Sequence, residues 1–88
     1  MTGPMKDFAD SPIARNAIAT ATVRDTWAGE LPAFLVPQRT KRSGESIVVY
    51  RWLDSRGFVC DGLRCGFGAP KMIATAQRDA RFSNVVAA

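Results

Sequence analysis

Apolar and polar positions along the 88-residue chain fall into short blocks, each with its own period. After Ser11-Pro12, a pairing suited to a helix N-cap and first helical position, Ile13, Ala17, Ala21 and Ala28 recur at helical spacing, with Ala14 and Ile18 beside them. Gly29 supplies a stop. The pattern predicts a helix over residues 11–27. Propensity falls beyond residue 20, where Thr20, Thr22, Val23 and Thr26 are β-branched, and this leaves residues 20–28 open between helix and strand. Residues 31–38 read as a strand carrying Pro32 and Pro37. Neither proline can donate to a ladder, which places that strand at a sheet edge. Residues 38–46 are polar and basic and read as an exposed loop.

Residues 47–54, dense in Ile, Val, Tyr and Trp, make the strongest strand of the chain. Asp54-Ser55-Arg56-Gly57 is a turn signal, with Gly57 suited to a left-handed position. Phe58-Val59-Cys60 return as the next strand. Asp61-Gly62 makes either a second tight turn into residues 63–67 or a bulge. Gly66, Gly68 and Pro70 close the β region. From Pro70 to about Phe82, Met72, Ile73, Ala76 and Ala80 share one helical face, and the tail from Ser83 reads as loose.

The predicted order is therefore α-β-β-β-α. It describes an α+β fold in which a small antiparallel sheet of three to four strands carries an N-terminal and a C-terminal helix on one face. A single domain is expected over residues 11–82, between a flexible lead at 1–10 and a flexible tail at 83–88. Tyr50 and Trp52 share one face of the strongest strand, and Val49, Arg51 and Leu53 the other. The two rings are assigned to the core, as is Trp27.

Composition narrows the chemistry. With 47% apolar and 23% charged residues, the 9.6 kDa chain is not disordered throughout. A domain of this length buries only about 60–65% of its unfolded surface, so its stability margin is thin. The chain has no histidine, which removes Ser-His and Cys-His pairs, His-ligated metals and the imidazole pH switch. Cys60 and Cys65 by themselves make neither a zinc site nor a disulfide scaffold, and they read as ordinary thiols with Cys60 buried. Asp54, Asp61 and Asp79 show no acid–base pairing. No catalytic residue, metal ligand or cofactor is assigned, and a non-enzymatic binding protein is expected. No apolar run reaches about 18 residues and no apolar segment follows Lys6, so a cytoplasmic chain without membrane contact is expected.

Charge supplies the positive signal. The net charge is +4 and the pI about 9.7. Residues 1–38 carry −1 and residues 39–88 carry +5, which favours a basic, partner-facing side. Arg39, Lys41 and Arg42 cluster in the expected loop. In Gly66-Phe67-Gly68-Ala69-Pro70-Lys71, glycines before a helix let backbone N–H groups approach an anion, and Lys71 adds a point charge, although the spacing is neither that of a Walker loop nor that of a Rossmann fingerprint. Arg78 lies further along the same helix.

The order of elements over residues 11–82 resembles that of the double-stranded RNA-binding domain, which implies phosphate contacts where the second helix opens, at Pro70-Lys71. The chain departs from that family in having no histidine before the second strand and a single lysine at the helix start. Arg39, Lys41, Arg42, Lys71 and Arg78 are thus the candidate residues of a module that contacts a nucleic-acid backbone. The alternative is a protein-binding module or inhibitor, of phage or mobile-element type, that docks on a larger complex. Phe34, Leu35 and Val36 in the expected edge strand would also suit a homodimer.

Overall fold

The run Ala19-Thr20-Ala21-Thr22-Val23 has a strict period of two, and in a strand that period sends alanine and valine to one face and threonine to the other. The computed structural model, which describes residues 15–62 and 66–87, follows that period. Strand β1 spans Ala19–Asp25, and Ala19, Ala21 and Val23 are buried. It is followed by β2 (Gly29–Arg42), β3 (Glu45–Asp54), helix α1 (Ala69–Arg78) and β4 (Phe82–Ala87). The strands form one antiparallel sheet in the order β3-β2-β1-β4.

The fold is α+β but mostly sheet, with one helix of this length among the described residues where two were expected. Among the described residues the order is β-β-β-α-β, where α-β-β-β-α was expected, so the likeness to the double-stranded RNA-binding domain does not carry over. From residue 19 onward the expected N-terminal helix is a strand, while residues 11–14 lie outside the described residues. Alanine fits either structure. The β-branched positions and a ladder on both sides, to β2 and β4, decide for the strand.

The strand expected at the sheet edge is interior, and its two prolines show why this is allowed. Alternate residues of an antiparallel strand direct their N–H groups to opposite neighbours. The Leu35 carbonyl accepts the Ile18 N–H at 2.8 Å, so odd positions of β2 face β1 and even positions face β3. Pro37 faces the β1 side, two residues past the last pair, Ala19↔Leu35. Pro32 faces the β3 side, one residue past Ala33↔Asp54. Each missing donor points where the neighbouring strand has already ended. Phe34, Leu35 and Val36 therefore offer no free edge for a homodimer.

The tail expected to be loose is β4, paired through Val23↔Phe82 and Thr20↔Val86. Its outer edge, unpaired among the described residues, is short and broken by a register shift, with Asn84 at φ 53°, a device that blunts edge pairing. On the other side of the sheet, the returning segment expected at 58–60 does run beside β3. It bridges Leu53↔Val59 and, at residue 66, Tyr50↔Gly66. Between these bridges the Asp61 carboxylate accepts the Trp52 N–H at 3.2 Å, taking the place of a ladder partner.

Helix α1 lies on the inner face and packs Met72 and Ala76 against Ala19, Ala21, Ala33, Leu35, Trp52 and Phe82. Alanines paired across β1 and β2, at Ala21↔Ala33, let the helix sit close to the sheet. Trp52 is 1% exposed; its indole N–H donates to the Met72 carbonyl at 3.2 Å and its ring meets Phe82 edge-on at 5.3 Å. The helix ends at Arg78, short of the expected residue 82. Asp79 turns the chain: its carboxylate accepts the Arg81 N–H at 2.9 Å and its carbonyl the Phe82 N–H at 3.0 Å.

Trp27, expected in the core, sits instead on the β1–β2 turn and is 92% exposed. Asp25 organises that turn, accepting the N–H groups of Trp27 and Ala28 at 2.9 and 2.8 Å, while Gly29 takes the left-handed conformation at φ 78°. These bonds, that of Ala28 first, and the Arg56 guanidinium hold the Asp25 carboxyl below its usual range. Because folding lowers this pKa, the carboxylate stabilises the fold above its unfolded pKa of about 4, and the contribution is lost as pH falls toward the folded value. Thermal melts from pH 5 to about pH 2 should therefore fall more steeply for the wild type than for Asp25→Asn. Parallel curves would show that this carboxylate is not coupled to folding.

Candidate nucleic-acid interface

Ion pairing separates three arginines from the other described basic residues, exposed Arg15 and Arg24 among the latter. Arg51 Nε donates to the buried Asp61 carboxylate at 3.2 Å. Arg56 bridges Asp54 at 2.8 Å and Asp25 at 3.1 Å, and Arg81 pairs with Asp79 at 2.9 Å. These three arginines hold turns and loops in place. Arg39, Lys41, Arg42, Lys71 and Arg78, the five residues singled out by sequence, are exposed and make no ion pair among the described residues.

Residues 38–46, expected to be a loop, belong to a β-hairpin. The β2–β3 ladder continues through Arg39↔Val48 and Lys41↔Ser46 to Arg42↔Glu45, well beyond the last β1 pair at Leu35. Ser43 and Gly44 close it with φ values of 53° and 82°, the two positive angles of a type I′ turn, whose twist suits a two-residue hairpin. Beyond the Tyr50↔Gly66 bridge, residues 38–49 pair only with each other among the described residues, forming a two-stranded arm whose base is covered on one face at Val49. Four residue steps from Gln38 to Arg42 give it a reach of about 14 Å.

Strand alternation gives the arm two unlike faces. One carries Arg39, Lys41, Ser46 and Val48, all exposed and with no acid among them. The other carries Thr40, Arg42 and Glu45 above half-buried Ile47 and buried Val49. Arg42 reaches back to place its guanidinium 5.3 Å from the centre of the exposed Phe67 ring.

The first face lies on the same side of the sheet as α1. Gly66 and Tyr50 exchange backbone hydrogen bonds at the base of the arm, and α1 begins three residues later, so Lys71 in its first turn stands near that base. Arg78 is two turns further, about 10 Å along the axis, at the far end of the helix. The structure thus groups Arg39, Lys41 and Arg42 on the arm and Lys71 near it, and sets Arg78 apart.

Of the glycines before α1, Gly66 has a packing role. A Cβ on Gly66 would lie 2.9 Å from Met72 Sδ, so this glycine lets the strand pass under the helix. Gly68 caps the helix without a side-chain bond, and no acid occupies the first turn. Cys60 is a free, half-buried thiol, and burial together with the charges of Asp54 and Asp61 pushes its pKa up to about 12, so it stays protonated at neutral pH. Cys65 lies outside the described residues. Among the described residues no group of three His, Cys, Asp or Glu could hold a metal. The cavity between α1 and the sheet, lined by Trp52, Met72 and Phe82, measures about 20 Å³, enough for about one water.

One surface was missed by sequence reasoning. At the end of the sheet opposite the arm, Trp27, Phe58 (61% exposed) and Val59 surround the Arg56 bridge, and Arg56 also stacks on Phe58 at 4.9 Å. The signal was Asp25 and Gly29 flanking a three-residue connection, which reads as a hairpin turn with Trp27 at its tip.

No protein-family model, no curated protein and no solved structure matches the chain. Among the described residues no helix is long and apolar enough to cross a membrane.

Proposed function

We propose that this chain is a non-enzymatic module that binds nucleic acid through the β2–β3 arm, with Arg39, Lys41, Arg42 and Lys71 supplying the positive charge that meets the phosphate backbone. The observation that supports this reading is the projecting ribbon. It carries Arg39, Lys41 and Arg42, three of the basic side chains left once Arg51, Arg56 and Arg81 are taken by carboxylates. Arg78 contributes to the general field and not to the contact. The reading asks for no chemistry, and the protonated Cys60 thiol supplies no nucleophile.

Binding of labelled duplex DNA, duplex RNA and single strands across a salt series tests it. Four cations brought into the phosphate field predict a log–log slope of about −3 to −4 on duplex DNA. Converting Arg39, Lys41 and Arg42 together to alanine should reduce the slope to about −1. Trp27→Ala, at the opposite end, should leave both slope and affinity unchanged. Absence of binding to every nucleic acid at about 50 mM salt overturns the proposal.

A second reading, docking on a larger protein complex, is favoured by Trp27 and Phe58 alone. Their backbone is held by the Asp25 and Asp54 hydrogen bonds, so two rings are presented with little ordering left to do on contact.

A further inference from the structure

Resting on that reading, we infer that the arm's partner is B-form duplex DNA, entered through the major groove with the Arg39/Lys41 face toward the base edges. Shape comes first. The B-form major groove is about 12 Å wide and about 8.5 Å deep and admits a two-stranded ribbon. The major groove of A-form RNA is deep and narrow, and side chains cannot read it. An arm of about 14 Å passes the depth of the B-form groove while the body stays outside. Its tip, Ser43-Gly44, is the smallest part of the ribbon and is exposed.

The chemistry of the two faces supports the same partner. Single strands are held mainly by bases stacking on aromatic rings. The Arg39/Lys41 face presents one ring, the half-buried Tyr50 at the base of the arm; Trp52 is buried in the core, and Phe67 is stacked with Arg42 of the other face. What this face does present suits base edges. Arg39 is a planar fork able to make a bidentate contact with guanine, and Val48, 42% exposed, is an apolar partner for a thymine methyl group. The only acid of the arm, Glu45, lies on the opposite face in register with Arg42. Lys71, on the same side as Arg39 but outside the ribbon, meets the flanking phosphates.

The test uses the full chain with a 20-base-pair DNA duplex, the RNA duplex of the same sequence and each single strand. Preference for duplex DNA of about tenfold or more, displacement by the major-groove ligand methyl green and indifference to the minor-groove ligand netropsin are expected. Arg39→Lys should keep the salt slope yet lower affinity for duplex DNA about tenfold, because the charge remains and the fork is lost. Equal binding to duplex RNA or single strands, displacement by netropsin, or wild-type affinity of Arg39→Lys would overturn the groove assignment and leave backbone binding standing. Failure to bind any of the four overturns both.

Discussion

Trp52→Ala should destabilise the protein by about 3–5 kcal/mol. That is a large part of the roughly 5–15 kcal/mol available to a small domain. The ring is the joint of the molecule: it belongs to β3, its N–H holds the first turn of α1 through the Met72 carbonyl, and its edge meets Phe82 at the start of β4. Truncation opens a cavity among three elements at once and leaves alanines at Ala19, Ala21 and Ala33 that are too small to fill it. Urea unfolding followed by far-ultraviolet circular dichroism measures the loss. Trp52→Phe, which keeps most of the ring and gives up the hydrogen bond, should cost about 1–2 kcal/mol. A cost below about 1 kcal/mol for the alanine variant would show that α1 is not anchored by this ring.

Asp54→Ala should cost about 2–4 kcal/mol, because the loss is of hydrogen bonds to a buried carboxylate and not of apolar burial. Its carboxylate is 4% exposed and accepts four hydrogen bonds: the N–H groups of Arg56 and Phe58 at 2.8 and 3.1 Å on one oxygen, and two Arg56 guanidinium donors at 3.3 and 2.8 Å on the other. Alanine leaves two turn N–H groups without their acceptor and Arg56 with Asp25 alone. Asp54→Asn keeps an acceptor for the backbone and loses only the charge, so its cost should be smaller, about 1 kcal/mol, because Arg56 is partly in water. The same unfolding measurement separates the two. Both variants should bind nucleic acid as the wild type does, since the turn lies at the end of β2 away from the arm.

Several elements follow from local residues alone. Ile47 to Asp54 makes a strand because nothing else suits that density of β-branched and aromatic side chains. Asp54 and Gly57 make the turn because one supplies acceptors and the other a positive φ of 89°. Met72, Ile73 and Ala76 make a helix because of their spacing, and its basic residues are exposed because they have no apolar partner.

Residues 19–25, Pro32, Pro37 and Ser43-Gly44 are not settled by local sequence, for a common reason. Their conformation depends on what lies alongside. Alanine at 19 and 21 is compatible with helix or strand until β2 and β4 supply ladders. Proline reads as an edge residue until the register shows that each missing donor faces past the end of a neighbouring strand. Ser43-Gly44 reads as part of a loop until Arg42 and Glu45 are found paired.

Taken by itself, the sequence determined the class of the fold, its strongest strand, its main turn and the excess of positive charge in its second half, all properties set by side chains within a few residues of one another. Only the tertiary structure decided that β2 is interior, that Trp27 is exposed and that Arg51, Arg56 and Arg81 are neutralised while Arg39 and Lys41 stand free on an acid-free face. Those outcomes depend on strand register and on which carboxylate lies within about 3 Å of which guanidinium, and residues far apart in the chain meet at that distance only once the sheet has formed.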